Sequence, residues 1–111
     1  MRIKFIIVIV LFAGTACSKS STTLDDSIDC SGPAKSFSEN VKPVIELMCG
    51  ACHGRGSTEG PGELVNYVQI FSARSIIRSS IVAGQMPLGG SLTAAQKNAI
   101  ICWIDNGAPN N

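Results

Sequence analysis

Between residues 18 and 36 the chain reads SKSSTTLDDSIDCSGPAKS, and this polar run does most to limit what the sequence can become. It is rich in serine and threonine and nearly free of large apolar side chains. It cannot bury enough surface to offset the entropy of ordering it, so it reads as a flexible tether. Side chains able to build a core lie either before it, in the first 16 residues, or after it, from about Ser36 to Asn111. The second stretch has fewer than ~80 residues, a size at which a thin core usually needs a disulfide, a metal or a bound group as reinforcement. Aromatic bulk is scarce there. Two of the four phenylalanines, Phe5 and Phe12, precede the tether, leaving two with one tryptophan and one tyrosine. Such a domain is expected to need something further in its middle.

The leading segment has the order of a secretory signal peptide. Arg2 and Lys4 form a basic head, Phe5 to Ala13 are almost wholly apolar, and Gly14, Thr15 and Ala16 are small. The apolar run is about half the ~20 residues a membrane-spanning helix needs, so residues 1–16 are expected to be removed. Cys17 after three small residues resembles the lipobox of bacterial lipoproteins, in which the cysteine is lipidated and becomes the new N-terminus. Position 14, usually aliphatic in that motif, is glycine here, and ordinary cleavage after Ala16 is the alternative. Ser18 is not the aspartate that resembles an inner-membrane retention signal. The expectation is an exported outer-membrane lipoprotein facing the periplasm or the cell surface, with a soluble periplasmic protein as the alternative. Residues 17–35 then form the lipidated tether and 36–111 the folded domain.

Charge names no partner. Of nine Lys and Arg, Arg2 and Lys4 leave with the signal, so seven basic residues face eight acidic ones. There is no basic run to suggest nucleic acid and no acidic tail.

Periodicity is helical throughout. Ser36 and Glu39 have capping-box spacing, and Phe37, Val41, Val44, Ile45 and Met48 follow a helical stripe. Pro43 is comfortable only in a first turn, which places the start of regular helix near Glu39 or Asn40. GRGSTEGPGE, residues 54–63, is a glycine-rich loop. Residues 64–84 read as one or two helices ending at Gly84 in a C′ position. QMPLGGS is a loop. The last helix is the clearest, with Thr93 and Gln96 as a capping box, Ala99, Ile100 and Trp103 on one face, and Gly107 with Pro109 ending it. Nothing alternates as a strand does, and the fold class is all-α.

The chemistry concentrates in CGACH, residues 49–53, where two cysteines three apart precede the only histidine. Three uses compete: a zinc ligand set, a dithiol redox pair and covalent attachment of haem. Zinc takes four ligands in a tetrahedron, adjacent Cys52 and His53 rarely both reach one metal, and no second Cys-x-x-Cys or His follows. A thioredoxin-like dithiol belongs to βαβ patterning, which is absent; a plain disulfide or a chance match is the bland alternative. Cysteines at i and i+3 span about one helical turn, suiting thioether bonds to the two vinyl groups of a porphyrin, and the next residue can project over the ring. Cys-x-x-Cys-His is the attachment motif for c-type haem, and export agrees with it, because bacteria attach such haem outside the inner membrane.

CGACH, a downstream GP, a later MP loop and a C-terminal helix together resemble the small class I cytochromes c. The ordered set from Ser36 to Asn111 is similar to the short monohaem cytochromes found as secreted lipoproteins. The resemblance implies a class I cytochrome c-like fold, N- and C-terminal helices packed around one covalent haem c. It makes Cys49 and Cys52 the thioether residues, His53 the proximal iron ligand and Met86 the distal one. Met48 abuts Cys49 and Met1 leaves with the signal, so Met86 is the remaining sulfur. The His53-to-Met86 interval is shorter than in many members. Pro61 resembles the proline whose carbonyl accepts a hydrogen bond from the proximal imidazole; a turn proline is its other reading. Trp103 packs either on the haem edge or across the N-terminal helix near Phe37 and Val41. Arg74 and Arg78 reach haem propionates or lie on a solvated face, as Arg55 and Lys97 do. With Cys17 lipidated and two cysteines on haem, Cys30 and Cys102 remain, and in an oxidising compartment they are expected to pair; a buried Cys102 thiol with a mobile Cys30 is the alternative.

The implied function is one-electron transfer by a membrane-anchored monomer touching redox partner proteins transiently, without enzymatic activity. A haem sensor or peroxidase-like domain with an open sixth iron position is the alternative, and an accessory domain of a larger complex a third.

Overall fold

The computed structural model describes residues 27–111. The expected signal segment, Cys17 and the first part of the expected tether lie outside the described residues. All regular structure among those described is helical, so the all-α expectation holds. A π-helical turn, Phe37–Val41, runs directly into α1, Lys42–His53; α2, Tyr67–Val82, and α3, Ala94–Asp105, follow. No helix among the described residues is long and apolar enough to cross a membrane.

The opening turn departs from expectation. The Ser36 hydroxyl accepts from the Glu39 amide at 3.2 Å, as a capping box requires. The reciprocal bond comes from Asn40, whose Oδ1 accepts from the Ser36 amide at 2.8 Å. The Val41 amide also reaches the Ser36 carbonyl at 3.2 Å, and this wider winding carries residue 40 into the place a Glu39 side chain would take. The π turn also places Pro43 within the first two positions of α1, where its missing N–H costs nothing and its ring escapes the carbonyl four residues back. Helical structure therefore begins at Phe37 rather than at Glu39 or Asn40.

The other boundaries fall where the sequence places them. Residues 67–82 form one helix, capped by the Asn66 side chain accepting from the Gln69 amide at 3.0 Å. It ends in a Schellman motif: Gly84, at φ 69°, donates to the Ile81 carbonyl and Gln85 to that of Ser80, at 3.0 and 2.9 Å. Thr93 and Gln96 complete both halves of their box. At the end of α3 the same motif recurs, with Gly107 donating to Ile104 and Ala108 to Trp103.

The core forms where the three helices meet. Phe37, Val41 and Ile45 pack against Ile70, Ile77 and Ile81 of α2 and against Ile100, Ile101 and Trp103 of α3. Phe37 is central, its ring centroid 5.2 Å from that of Tyr67 in an edge-on arrangement and 5.6 Å from that of Trp103. The polar tips are satisfied by the C-terminal tail: Trp103 Nε1 donates to the Pro109 carbonyl at 2.8 Å and the Tyr67 hydroxyl to that of Ala108 at 2.9 Å. Asn111 then closes onto the start of the helical region, its Oδ1 accepting from the Phe37 amide and its carbonyl from the Ser38 amide. Cys30 is joined to Cys102 of α3, their Cα atoms 5.4 Å apart, within the usual disulfide range. The Asp29 amide adds a bond to Asn98 Oδ1 at 3.2 Å. The last residues before the domain are thus held against α3.

Candidate functional site

The motif occupies the last turn of α1. The helix can stop there because residue 54 is glycine. Its backbone leaves at ψ −169°, and a Cβ at this position would stand 2.7 Å from the Gly50 carbonyl oxygen. The helix-end carbonyls are taken up by the loop that follows: Cys52 O accepts from the Ser57 hydroxyl at 2.6 Å and His53 O from the Leu64 amide at 2.7 Å. The loop therefore folds back over the histidine, and a Cβ on Gly60 would lie 3.6 Å from His53 Cε1.

His53 is buried, 8% exposed, with Nδ1 3.1 Å from the Gly62 carbonyl oxygen. A carbonyl only accepts, so Nδ1 carries the hydrogen and the Nε2 lone pair is left for another partner; Nε2 makes no hydrogen bond among the described residues. The acceptor belongs to Gly62, not to Pro61 as the resemblance implies. Left-handed backbone at Gly60 (φ 51°) and Gly62 (φ 83°) carries the chain around so that the next carbonyl faces the ring, and Pro61 is exposed. Both motif thiols are free, Cys49 half-buried and Cys52 exposed. Burial, and secondarily the neighbouring Cys52, pushes the Cys49 thiol above its ordinary value.

Glu63 was not singled out in the sequence, yet it organises this loop. One carboxylate oxygen accepts from the Gly56 amide at 2.6 Å and the other from Gln69 Nε2 at 3.0 Å. Those bonds, the Gly56 one foremost, hold its carboxyl below the ordinary carboxylate range. The available signal was an acidic side chain set among glycines directly before Leu64, the first buried residue after the loop.

Met86, Trp103, Arg74 and Arg78 make no hydrogen bond or ring contact with a motif residue among the described residues. Met86 is 36% exposed and lines a cavity of about 240 Å³ with Ile81, Gly84, Leu92 and Lys97, a cavity no motif residue lines. Trp103 is 0% exposed and packs near Phe37, their ring centroids 5.6 Å apart, the helix–helix placement. Arg74 stacks over the Phe71 ring, 3.9 Å to the centroid, and donates to the Phe71 carbonyl. Arg78 is paired with Asp105 through two bonds of 2.7 and 2.9 Å. Arg55 is exposed and Lys97 half-buried.

The donor set decides what chemistry the site suits. Among the described residues no three His, Cys, Asp or Glu side chains gather as a metal cage, which leaves the four-ligand set of a zinc tetrahedron incomplete there. Two free thiols one turn apart, followed by an imidazole with Nε2 uncommitted, fit covalent haem with one axial nitrogen. Large apolar side chains also stand open on the surface, among them Leu47, Val68, Ile76 and Leu88, each at least half exposed. No protein-family model matches the chain, and no curated protein or solved structure is detectably similar to it.

Proposed function

We propose that the protein is a one-electron carrier with a single covalently attached c-type haem and a class I cytochrome c-like fold. The observation that carries this reading is the end of α1, where Cys49 and Cys52 are free and His53 is fixed through Nδ1 to the Gly62 carbonyl with Nε2 left over. In this reading Cys49 and Cys52 would hold the porphyrin through thioether bonds, and His53 Nε2 and Met86 would supply the iron's protein ligands. When bound, the haem supplies an iron centre that alternates between ferric and ferrous states. The chain's contribution is to orient the imidazole, strengthen it as a donor through the Nδ1–H bond, and offer a thioether, which favours the ferrous form. Removal of residues 1–16, lipidation at Cys17 and an outer-membrane location complete the proposal. The tether would keep a monomeric carrier beside its transient redox partners.

The test is expression of the full sequence with haem-attachment machinery, followed by intact mass, alkaline pyridine spectrum and reduced-minus-oxidised spectrum. The expected result is one haem per chain with both motif thiols consumed and residues before Cys17 gone. A folded, haem-free protein with two titratable thiols would overturn it. A second reading, a haem sensor or peroxidase-like domain with an open sixth position, draws on Met86 lining a cavity that no motif residue lines. Ferric protein lacking the weak long-wavelength sulfur-to-iron band and binding azide readily would select that reading.

A further inference from the structure

The carbonyl that faces His53 belongs to the peptide joining Gly62 to Glu63, and that peptide lies in a loop with glycines at 54, 56, 60 and 62. Glycine restrains the backbone least of all residues, so the orientation of this carbonyl has to be imposed by bonds. Two are main-chain: the Gly62 amide donates to the Glu59 carbonyl at 2.8 Å and the Leu64 amide to that of His53 at 2.7 Å. The third is the Glu63 carboxylate, which ties the near end of the loop, at Gly56, to the first turn of α2, at Gln69. Gln69 passes the restraint on, its Oε1 accepting from the Val65 amide at 2.9 Å. Residues 56, 63, 65 and 69 thus form one closed circuit around the peptide whose oxygen His53 uses.

We infer that Glu63 is a positioning residue for His53, acting through this circuit to hold the Gly62 carbonyl on Nδ1 and so set the donor strength of Nε2. The inference rests on His53 being an axial ligand, as proposed above. An ionised carboxylate makes stronger hydrogen bonds than a neutral acceptor, and the Gly56 amide and Gln69 keep Glu63 ionised at neutral pH. Arg55 is the charged side chain that interacts with it. Glu59, in the same loop, makes no side-chain bond among the described residues and serves as a control of equal charge.

The experiment compares the haem-loaded full chain with its Glu63→Ala, Glu63→Gln and Glu59→Ala variants. Two quantities are read: the hydrogen-exchange rate of the His53 Nδ1–H, by NMR in the ferrous form, and the reduction potential. Glu63→Ala is expected to speed exchange about tenfold, the scale of one lost hydrogen bond, and to raise the potential, because a weaker imidazole donor stabilises ferric iron less. Glu63→Gln is expected to speed exchange by roughly threefold, since a neutral acceptor holds the Gly56 amide about half as strongly. Glu59→Ala is expected to leave exchange unchanged. Equal exchange in Glu63→Ala and Glu59→Ala overturns the inference, as does a potential that moves while exchange does not. If Glu63→Ala does not fold, Glu63→Gln decides, and exchange at the wild-type rate refutes the assignment. If the wild type takes up no haem, the proposed function fails, and the exchange comparison on the haem-free chain still decides whether Glu63 holds the carbonyl.

Discussion

Gly50 and Gly54, both within or beside the motif, are held by different constraints. A methyl group at Gly50 would meet nothing within 4 Å, whereas at Gly54 it would press on the Gly50 carbonyl at 2.7 Å. Gly50→Ala is therefore expected to stabilise by ~0.5–1 kcal/mol, the usual gain of alanine over glycine inside a helix. Gly54→Ala is expected to cost ~1–3 kcal/mol, as forced overpacking does, although its φ of −74° suits any residue. Urea midpoints of the two variants check the pair; similar midpoints would contradict the geometry. At this scale the sequence singled out the two thiols and the imidazole as candidates and missed what orients the imidazole. CGACH stands out because spacing alone marks it. The acceptor for His53 does not, because it depends on two left-handed glycines, Gly60 and Gly62, whose dihedral angles no side chain announces. The same holds for Asn40, which caps Ser36 in place of Glu39 only because the first turn is wound as a π turn.

Helices α2 and α3 are joined across their exposed flank by Arg78 and Asp105, in a bidentate pair of 2.7 and 2.9 Å. Its hydrogen bonds to Arg78 hold the Asp105 carboxyl below its ordinary value. A carboxyl with a folded value below its unfolded one stabilises the fold above the ordinary carboxylate range, and that contribution is lost as pH falls through the folded value. Asp105→Asn should therefore flatten the acid limb of the stability–pH curve, with urea midpoints converging on the wild type at the lowest pH. A wild-type slope retained in Asp105→Asn would show that other carboxylates carry the acid response. The sequence offered Arg78 to a propionate or to a solvated face; it lies on an exposed face, but its Asp105 partner was not legible, because pairing across two helices depends on how they cross. Element boundaries were far more readable where the signal was local. The Thr93–Gln96 box and the glycines at 84 and 107 each settle a helix end with atoms a few residues apart.

Cys30 and Cys102 are separated by 72 residues and span most of the domain. Closing a loop of that length contributes roughly 4 kcal/mol in the chain-entropy model, a large share of the ~5–15 kcal/mol typical of a folded protein. Cys30→Ala, at an exposed position that leaves no cavity, is expected to lose about that much. The wild type under reducing conditions should fall to the same urea midpoint if the bond is the cause. Pairing was legible by counting cysteines and assigning the others, whereas the docking of Asp29 on Asn98 was invisible in a segment read as tether throughout. The helical class was legible from period alone. The aromatic junction of Phe37, Tyr67 and Trp103 was half legible, since the packing of Trp103 on both rings depends on how the helices meet. Beneath that junction Asn111 bonds to Phe37, Ser38 and the Ser36 hydroxyl, so the polypeptide enters and leaves the domain through a single doorway. A second module fused after Asn111 would emerge beside the leash, and copies strung head to tail would double back at every junction instead of extending into a rod.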